Sequence, residues 1–284
     1  MKNKLLSIAV LVLVAAILVV AGVNLVESEK QKRLPSYVIA VVPVDDDATT
    51  KRVYEPFVAY LAEKLGRNVE LMTASDYTAV VEAMKYGHAD MARLGPLTYV
   101  LARQEAEIEP VCVGIKKATG MPYYHSMIVG RPDLETLEGA TFSYVDMASM
   151  SGYMAPSIYI KNAGIELGEI LFAGNHPAII QVVKNGSVDA GAVADNRYRE
   201  AIRNNVIAEG DFKVFWVSEH MYSSVWTIRR ELGPEVQAQF TEAMLAMSEE
   251  LAFGIGSEEI GFTKITDADY QFAYDAYEES QEKP

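Results

Sequence analysis

The chain has 284 residues, half of them hydrophobic, enough for one large or two ordinary domains with a real core. Its 25 basic and 39 acidic residues leave a net charge of -14, a surface to which no nucleic-acid backbone would be drawn. A small anion is not excluded, because a pocket's local field can oppose the global one. The single cysteine, Cys112, lies in an apolar run, reads as a small core hydrophobe and permits no disulfide within the chain.

At the N-terminus Lys2 and Lys4 precede a charge-free, largely apolar stretch from Leu5 to Val23. That length can span a hydrocarbon core of roughly 30 Å at about 1.5 Å per residue. No cysteine follows it, so a lipoprotein anchor is excluded. Residues 1–26 are predicted to form a signal-anchor helix with the lysines inside, the alternative being a cleaved signal peptide. Either way the rest of the chain is exported. Residues 27–36 are polar and read as a linker.

From Tyr37 the pattern alternates short apolar runs with amphipathic ones. Tyr37 to Val42 reads as a strand buried on both faces, followed by a loop at Asp45, Asp46 and Asp47. A helix is predicted from near Tyr54, with Pro56 in its first turn, Phe57, Leu61 and Leu65 on one face, and Gly66 as its stop. Val69–Thr73 is a second strand. Ser75 is the expected cap of a helix running to Tyr86. Ala89–Leu94 is a third strand, and Pro96 opens the next helix. Further strands are predicted at Val111–Ile115, Met127–Gly130, Thr141–Val145, Ile170–Phe172, Ala190–Val193, Lys213–Val217 and Val225–Arg229. Helices are predicted at Ser151–Ala163, Pro177–Asn185, Asn196–Asn205 and from Pro234, with a docking helix carrying Tyr270, Tyr274 and Tyr277. Such alternation predicts an α/β fold of mostly parallel sheets with helices on both faces.

In open α/β sheets ligands sit beyond the carboxyl ends of strands, where loops meet helix N-termini. Four junctions stand out: residues 73–77, 93–96, 146–152 and 174–177. Ser149 and Ser151 flank Met150 just before Gly152. Two hydroxyls and the first N–H groups of a helix, with its positive dipole end behind them, are what a tetrahedral oxyanion needs; the plain alternative is an N-cap serine with a spare neighbour. His176 is placed at the cap position before Pro177, with its ring near any bound anion, or else is structural. Tyr77, Tyr123 and Tyr124 can donate phenolic hydrogen bonds or simply pack. Asp195, at a strand end, can accept from a protonated ligand oxygen or cap the next helix. Arg93 ends an otherwise apolar strand, facing the cleft or pairing with an acid.

These junctions resemble those of the phosphonate-, phosphite- and phosphate-binding proteins of ABC importers. The matching segments are residues 75–77 with 80–84, 89–96, 124–126, 148–153 with Pro156, and 174–176 with 188–190, in family order and at family-like intervals. The resemblance implies a type II periplasmic-binding-protein fold: two α/β lobes joined by two crossover strands, with residues 37–127 and 221–284 forming the first lobe and 128–220 the second. It implies ligand contact by Tyr77 and Tyr124, a cradle at Ser149, Met150 and Ser151, an oxyanion contact at His176 and a substituent contact at Asp195. Two positions depart from the pattern. Met150 replaces a hydroxyl residue, and Leu94 stands where some phosphonate binders have a tyrosine. Each hydrogen bond so lost to a charged ligand costs about 1.5–3 kcal/mol.

The expected function is therefore capture of a small oxyanion outside the cytoplasm by closure of two lobes, for delivery to an ABC permease, by a monomer without cofactor or metal. A tethered sensor of the same fold is the alternative. A serine hydrolase using Ser149 or Ser151 with His176 and Asp195 is more distant, because the Gly-x-Ser-x-Gly elbow is missing.

Overall fold

A computed structural model describes residues 35–42, 47–255 and 258–281, so the predicted anchor and the linker up to residue 34 lie outside it. Among the described residues no helix is long and apolar enough to cross a membrane. The chain opens with β1 (Tyr37–Val41), α1 (Asp47–Leu65), β2 (Val69–Thr73), α2 (Tyr77–Lys85), β3 (Met91–Leu94) and α3 (Pro96–Glu105). Next, β4 (Ile108–Lys116) leads to the two-residue strand β5 (Tyr123–Tyr124). A second body follows: β6 (Ser126–Gly130), β7 (Phe142–Tyr144), α4 (Ala155–Asn162), β8 (Ile170–Phe172), α5 (His176–Lys184), β9 (Ala190–Ala194), α6 (Asp195–Arg203) and β10 (Lys213–Val217). The chain returns through β11 (Met221–Tyr222) to β12 (Val225–Arg229), α7 (Gly233–Leu245), α8 (Glu249–Gly254), β13 (Glu259–Lys264) and α9 (Gln271–Gln281).

These elements build two lobes. The first holds a six-stranded sheet of order β13-β4-β12-β3-β1-β2, the second a five-stranded sheet of order β10-β6-β9-β7-β8. Between them β5 and β11 pair antiparallel, Tyr124 opposite Met221 and Tyr123 opposite Tyr222. The second sheet starts at Ser126, two residues before the boundary drawn from sequence.

Neither sheet is mostly parallel. In the first lobe β2, β1 and β3 are parallel neighbours, but β12 runs antiparallel to both β3 and β4, and β13 antiparallel to β4. In the second lobe β9, β7 and β8 are parallel, while β6 and β10 are antiparallel additions. The strands next to the crossovers explain part of this: the strand that leaves or enters a lobe there lies beside the one that completes the excursion, β4 beside β12 and β6 beside β10, and each such pair runs antiparallel. One consequence fixes the site. The carboxyl ends of β1, β3 and β4 and the start of β12 all reach the same edge of the first sheet, facing the ends of β7, β8 and β9.

Each sheet is covered on both faces. Tyr54, Phe57, Leu61, Met91, Trp226 and Phe240 pack on one side of the first sheet, and Val80, Met84, Tyr99 and Tyr270 on the other. Ile179, Val183 and Val193 fill one face of the second, Ile128, Phe142 and Tyr144 its opposite face. α1 starts seven residues earlier than the sequence rule suggested, so Pro56 lies inside it, at an exposed position. Proline's preference for first turns is what places Pro56 in the first turn on sequence alone. Burial of Tyr54 and Phe57 on the same face overrides that preference.

Candidate anion-binding cleft

A cavity of about 110 Å³ opens between the lobes, lined on the first-lobe side by Val41, Tyr54, Tyr77, Arg93, Lys116 and Ser223 among others. Ser149, Met150, Ser151, His176, Asn196 and Arg197 line it from the second lobe, and Tyr124 from the crossover. Of the residues singled out from sequence, Tyr77, Arg93, Tyr124, Ser149, Met150, Ser151 and His176 thus meet around one space, whereas Asp195 and Tyr123 do not, the Tyr123 hydroxyl instead bonding that of Tyr222 at 3.3 Å.

The cradle forms where β7 ends. Ser149 caps a single π-helical turn, Met150–Met154, that runs into α4. The Ser149 hydroxyl accepts the Gly152 N–H at 3.0 Å, while the Gly152 carbonyl accepts the Val145 N–H at 3.0 Å, clamping the turn to the strand. The first N–H groups of a helical turn have no partner within it. Those of Met150 and Ser151 therefore remain for a ligand, with the helix dipole behind them. Ser151 is itself positioned, its carbonyl accepting from the Ser126 hydroxyl at 2.7 Å.

Two phenols face the two serines. Tyr77 is the first residue of α2, whose cap is Asp76 rather than Ser75: the Asp76 carboxylate accepts the Ala79 N–H at 2.8 Å. Tyr77 projects from there onto the second-lobe core and lies against Ser149. Tyr124 lies against Ser151. Burial raises the pKa of both phenols, so both keep their protons and can donate.

His176 is not the cap of α5. Asn175 takes that role, accepting the Ala178 N–H at 2.8 Å. This frees the ring, whose Nδ1 accepts the Ala194 N–H at 3.2 Å. Burial, and secondarily Arg197, lower its pKa to about 3. The ring is therefore neutral with its proton on Nε2, a fixed donor.

Met150 lines the cavity and also belongs to an apolar cluster joining the lobes, with Leu97, Tyr124, Met154, Ala194 and Met221. The hydroxyl missing at this position is replaced by dry packing. Arg93 lines the cleft and also pairs with an acid: its Nη2 donates to Glu259 at 2.6 Å. Lys116 donates to the same Glu259 oxygen at 2.9 Å. Burial disfavours the Glu259 carboxylate, but these two cations overcome the penalty and hold its pKa below the ordinary value.

Asp195 is the correction. It does not line the cavity. One carboxylate oxygen accepts the N–H groups of His125 and Asn196, at 3.0 and 2.7 Å, and the other accepts from Arg199 at 2.7 Å. Held by Arg199, it cannot orient His176, whose Nδ1 is occupied by a backbone N–H, so Ser149 or Ser151, His176 and Asp195 form no relay. Sequence reading missed Tyr54, Lys116, Arg197 and Asn196. Arg197 and Asn196 follow a strand directly, at a junction of the type that marked the others. Lys116 and Tyr54 carried no such sign.

A family model described as "ABC transporter, phosphonate, periplasmic substrate-binding protein" matches residues 39–270. The chain belongs to this family. As a member of this phosphonate-transporter family of periplasmic binding proteins it is a binding protein, not an enzyme, and acts outside the cytoplasm. Relatives agree. The phosphate-import protein PhnD of Mycolicibacterium smegmatis is 30% identical over 262 residues, covering 82% of each chain. A binding-protein component of an ABC phosphonate transporter from Pseudomonas aeruginosa superposes with a TM-score of 0.78 at 18% identity, covering 87% of each chain. PhnD1 from Prochlorococcus marinus in complex with methylphosphonate gives 0.75 at 18% identity, covering 86% of this chain and 98% of that one. The solved structures share its two-lobed mixed α/β fold.

Proposed function

We propose that this chain, as a monomer, captures a small phosphorus oxyanion (phosphate, phosphite or a simple phosphonate) by hinge closure and presents it to an ABC permease. One observation carries the reading: the hydroxyls of Ser149, Ser151, Tyr77 and Tyr124, the His176 ring and the first N–H groups of the 150–154 turn converge on one small cavity from both lobes. Donors of that number and fixity suit several oxygens on one centre. Arg93 and Lys116, sharing the Glu259 carboxylate, and Arg197, paired with Glu200, put one more cation than carboxylate beside them, which a wholly neutral site would lack. The names of the relatives, phosphate-import and phosphonate-transport proteins, support the same ligand class.

Removing both cradle hydroxyls tests it. Ser149→Ala with Ser151→Ala is expected to weaken binding of orthophosphate or methylphosphonate by about a hundredfold or more, each lost bond to a charged ligand costing about 1.5–3 kcal/mol. Titration calorimetry at wild-type affinity would remove the cradle from the mechanism. The tether belongs to the same proposal: Lys2 and Lys4 before the apolar run support a retained anchor, and the N-terminal mass of the exported chain distinguishes it from a cleaved leader.

A further inference from the structure

Asp195, released from the ligand, leads to a second arrangement. Its carboxylate accepts from the His125 N–H, at the crossover, and from Arg199 one turn along α6. Arg199 reaches on to Glu258 of the first lobe at 3.3 Å, and Arg203 from the next turn pairs with the same carboxylate. Arg203 also lies over the Phe253 ring, on α8 of the first lobe. Glu258 is held in a left-handed backbone conformation, φ 59°, its carbonyl accepting the Lys117 N–H at 2.8 Å. Its side chain is 8% exposed, whereas its partners Arg199 and Arg203 are 36% and 44% exposed.

The position of this series of charges gives it meaning. Asp195 directly follows Ala194, which lines the cavity and whose N–H fixes the His176 ring. Glu258 directly precedes Glu259, which holds Arg93 and Lys116 at the opposite wall. The ion pairs therefore join a ligand-facing strand end of one lobe to the strand start that anchors ligand-facing cations in the other, with a side link to the crossover. A contact serving only one lobe's stability would not cross the cleft.

We propose that Asp195, Arg199, Arg203 and Glu258 form an ionic clasp of positioning residues that holds the lobes closed and sets how long the ligand stays. The clasp rests on the hinge-closure reading but not on the ligand's identity. Opening separates Arg199 and Arg203 from Glu258 and rehydrates all three. Closure is then favoured at low salt and weakened as screening grows: the Debye length shrinks from about 30 Å at 0.01 M to about 3 Å at 1 M.

The test uses the full chain in detergent, spin-labelled once per lobe through Glu63→Cys and Glu166→Cys, both at exposed positions. Without ligand, Glu258→Gln is expected to shift the inter-label distance distribution toward longer distances, and high salt to shift the clasp-intact protein the same way. With whichever of orthophosphate and methylphosphonate binds, Glu258→Gln is expected to release it about tenfold faster, since pairs of this exposure are individually modest. Its salt slope should be flatter than that of the clasp-intact chain, a readout that a purely structural residue would not move. Arg203→Gln, on the exposed side, should show the same three changes if Glu258→Gln does not fold. Distances and off-rates indifferent to both substitutions overturn the clasp. Failure of both probes to bind, with the distance shift intact, counts against the ligand reading and leaves the clasp standing.

Discussion

At His176 the environment converts a titratable ring into a permanent donor. The unfolded ring titrates near pH 6.5 and the folded one near 3, so between those values the unfolded state holds the extra proton. Stability contributed by the neutral ring is therefore complete above about pH 6.5 and is lost as pH falls toward 3, at up to about 1.4 kcal/mol per unit. Denaturant melts should show a steep acid loss that is shallower in His176→Asn; parallel curves would mean that the ring is not held neutral by the fold. The ring itself was visible in the sequence because it opens a helix after a strand. Ser149, Ser151, Tyr77 and Tyr124 were visible for the same kind of reason. Lys116 was not: a lysine closing an apolar strand reads as a solvated end, and only the register that places Glu259 opposite it shows why it can be buried. Asp195 looked identical to a ligand acid because the partner that claims it, Arg199, is chosen by tertiary packing.

Among the elements, the turn at 150–154 depends most on a single residue. A Cβ added to Gly152 would meet Val145 Cγ2 at 2.4 Å and the Ser149 hydroxyl at 2.9 Å. Neither can retreat, since one is buried core and the other is the cap. Gly152→Ala is expected to cost about 1–3 kcal/mol and to lower Tm by roughly 2–4 °C for each kcal/mol. It should also weaken anion binding out of proportion, because the turn that moves is the one whose N–H groups face the cleft. A thermal melt beside a titration checks both, and an unchanged affinity would separate the turn from the site. The strands and helices themselves were largely legible from their apolar periods, Ile170–Phe172, Lys213–Val217 and Val225–Arg229 to the residue. Strand direction was not. Period reports which faces are buried, not which strand lies alongside, so the antiparallel insertion of β12 between β3 and β4 left no local trace.

For the whole molecule, the net charge of -14 and an anionic ligand are compatible because the charges are sorted. Arg93, Lys116 and Arg197 are gathered at the cavity wall against two carboxylates, Glu259 and Glu200, and a low-dielectric cleft focuses the field of the excess cation locally. The two-lobed plan was legible only through family resemblance; nothing in composition or spacing says that a chain leaves one sheet, builds another and comes back. That excursion has a consequence for how the protein is made. β12 is the partner that both β3 and β4 require on one side, and it is synthesised only after every strand of the second lobe. The second lobe can finish as soon as residue 218 has emerged, its ends drawn together by the bond from the Ser218 N–H to the Ser126 carbonyl. The first lobe must wait with a gap at its centre. The lobe begun first is the one completed last, and its half-built sheet is the stage at which the nascent chain most needs protection from mispairing.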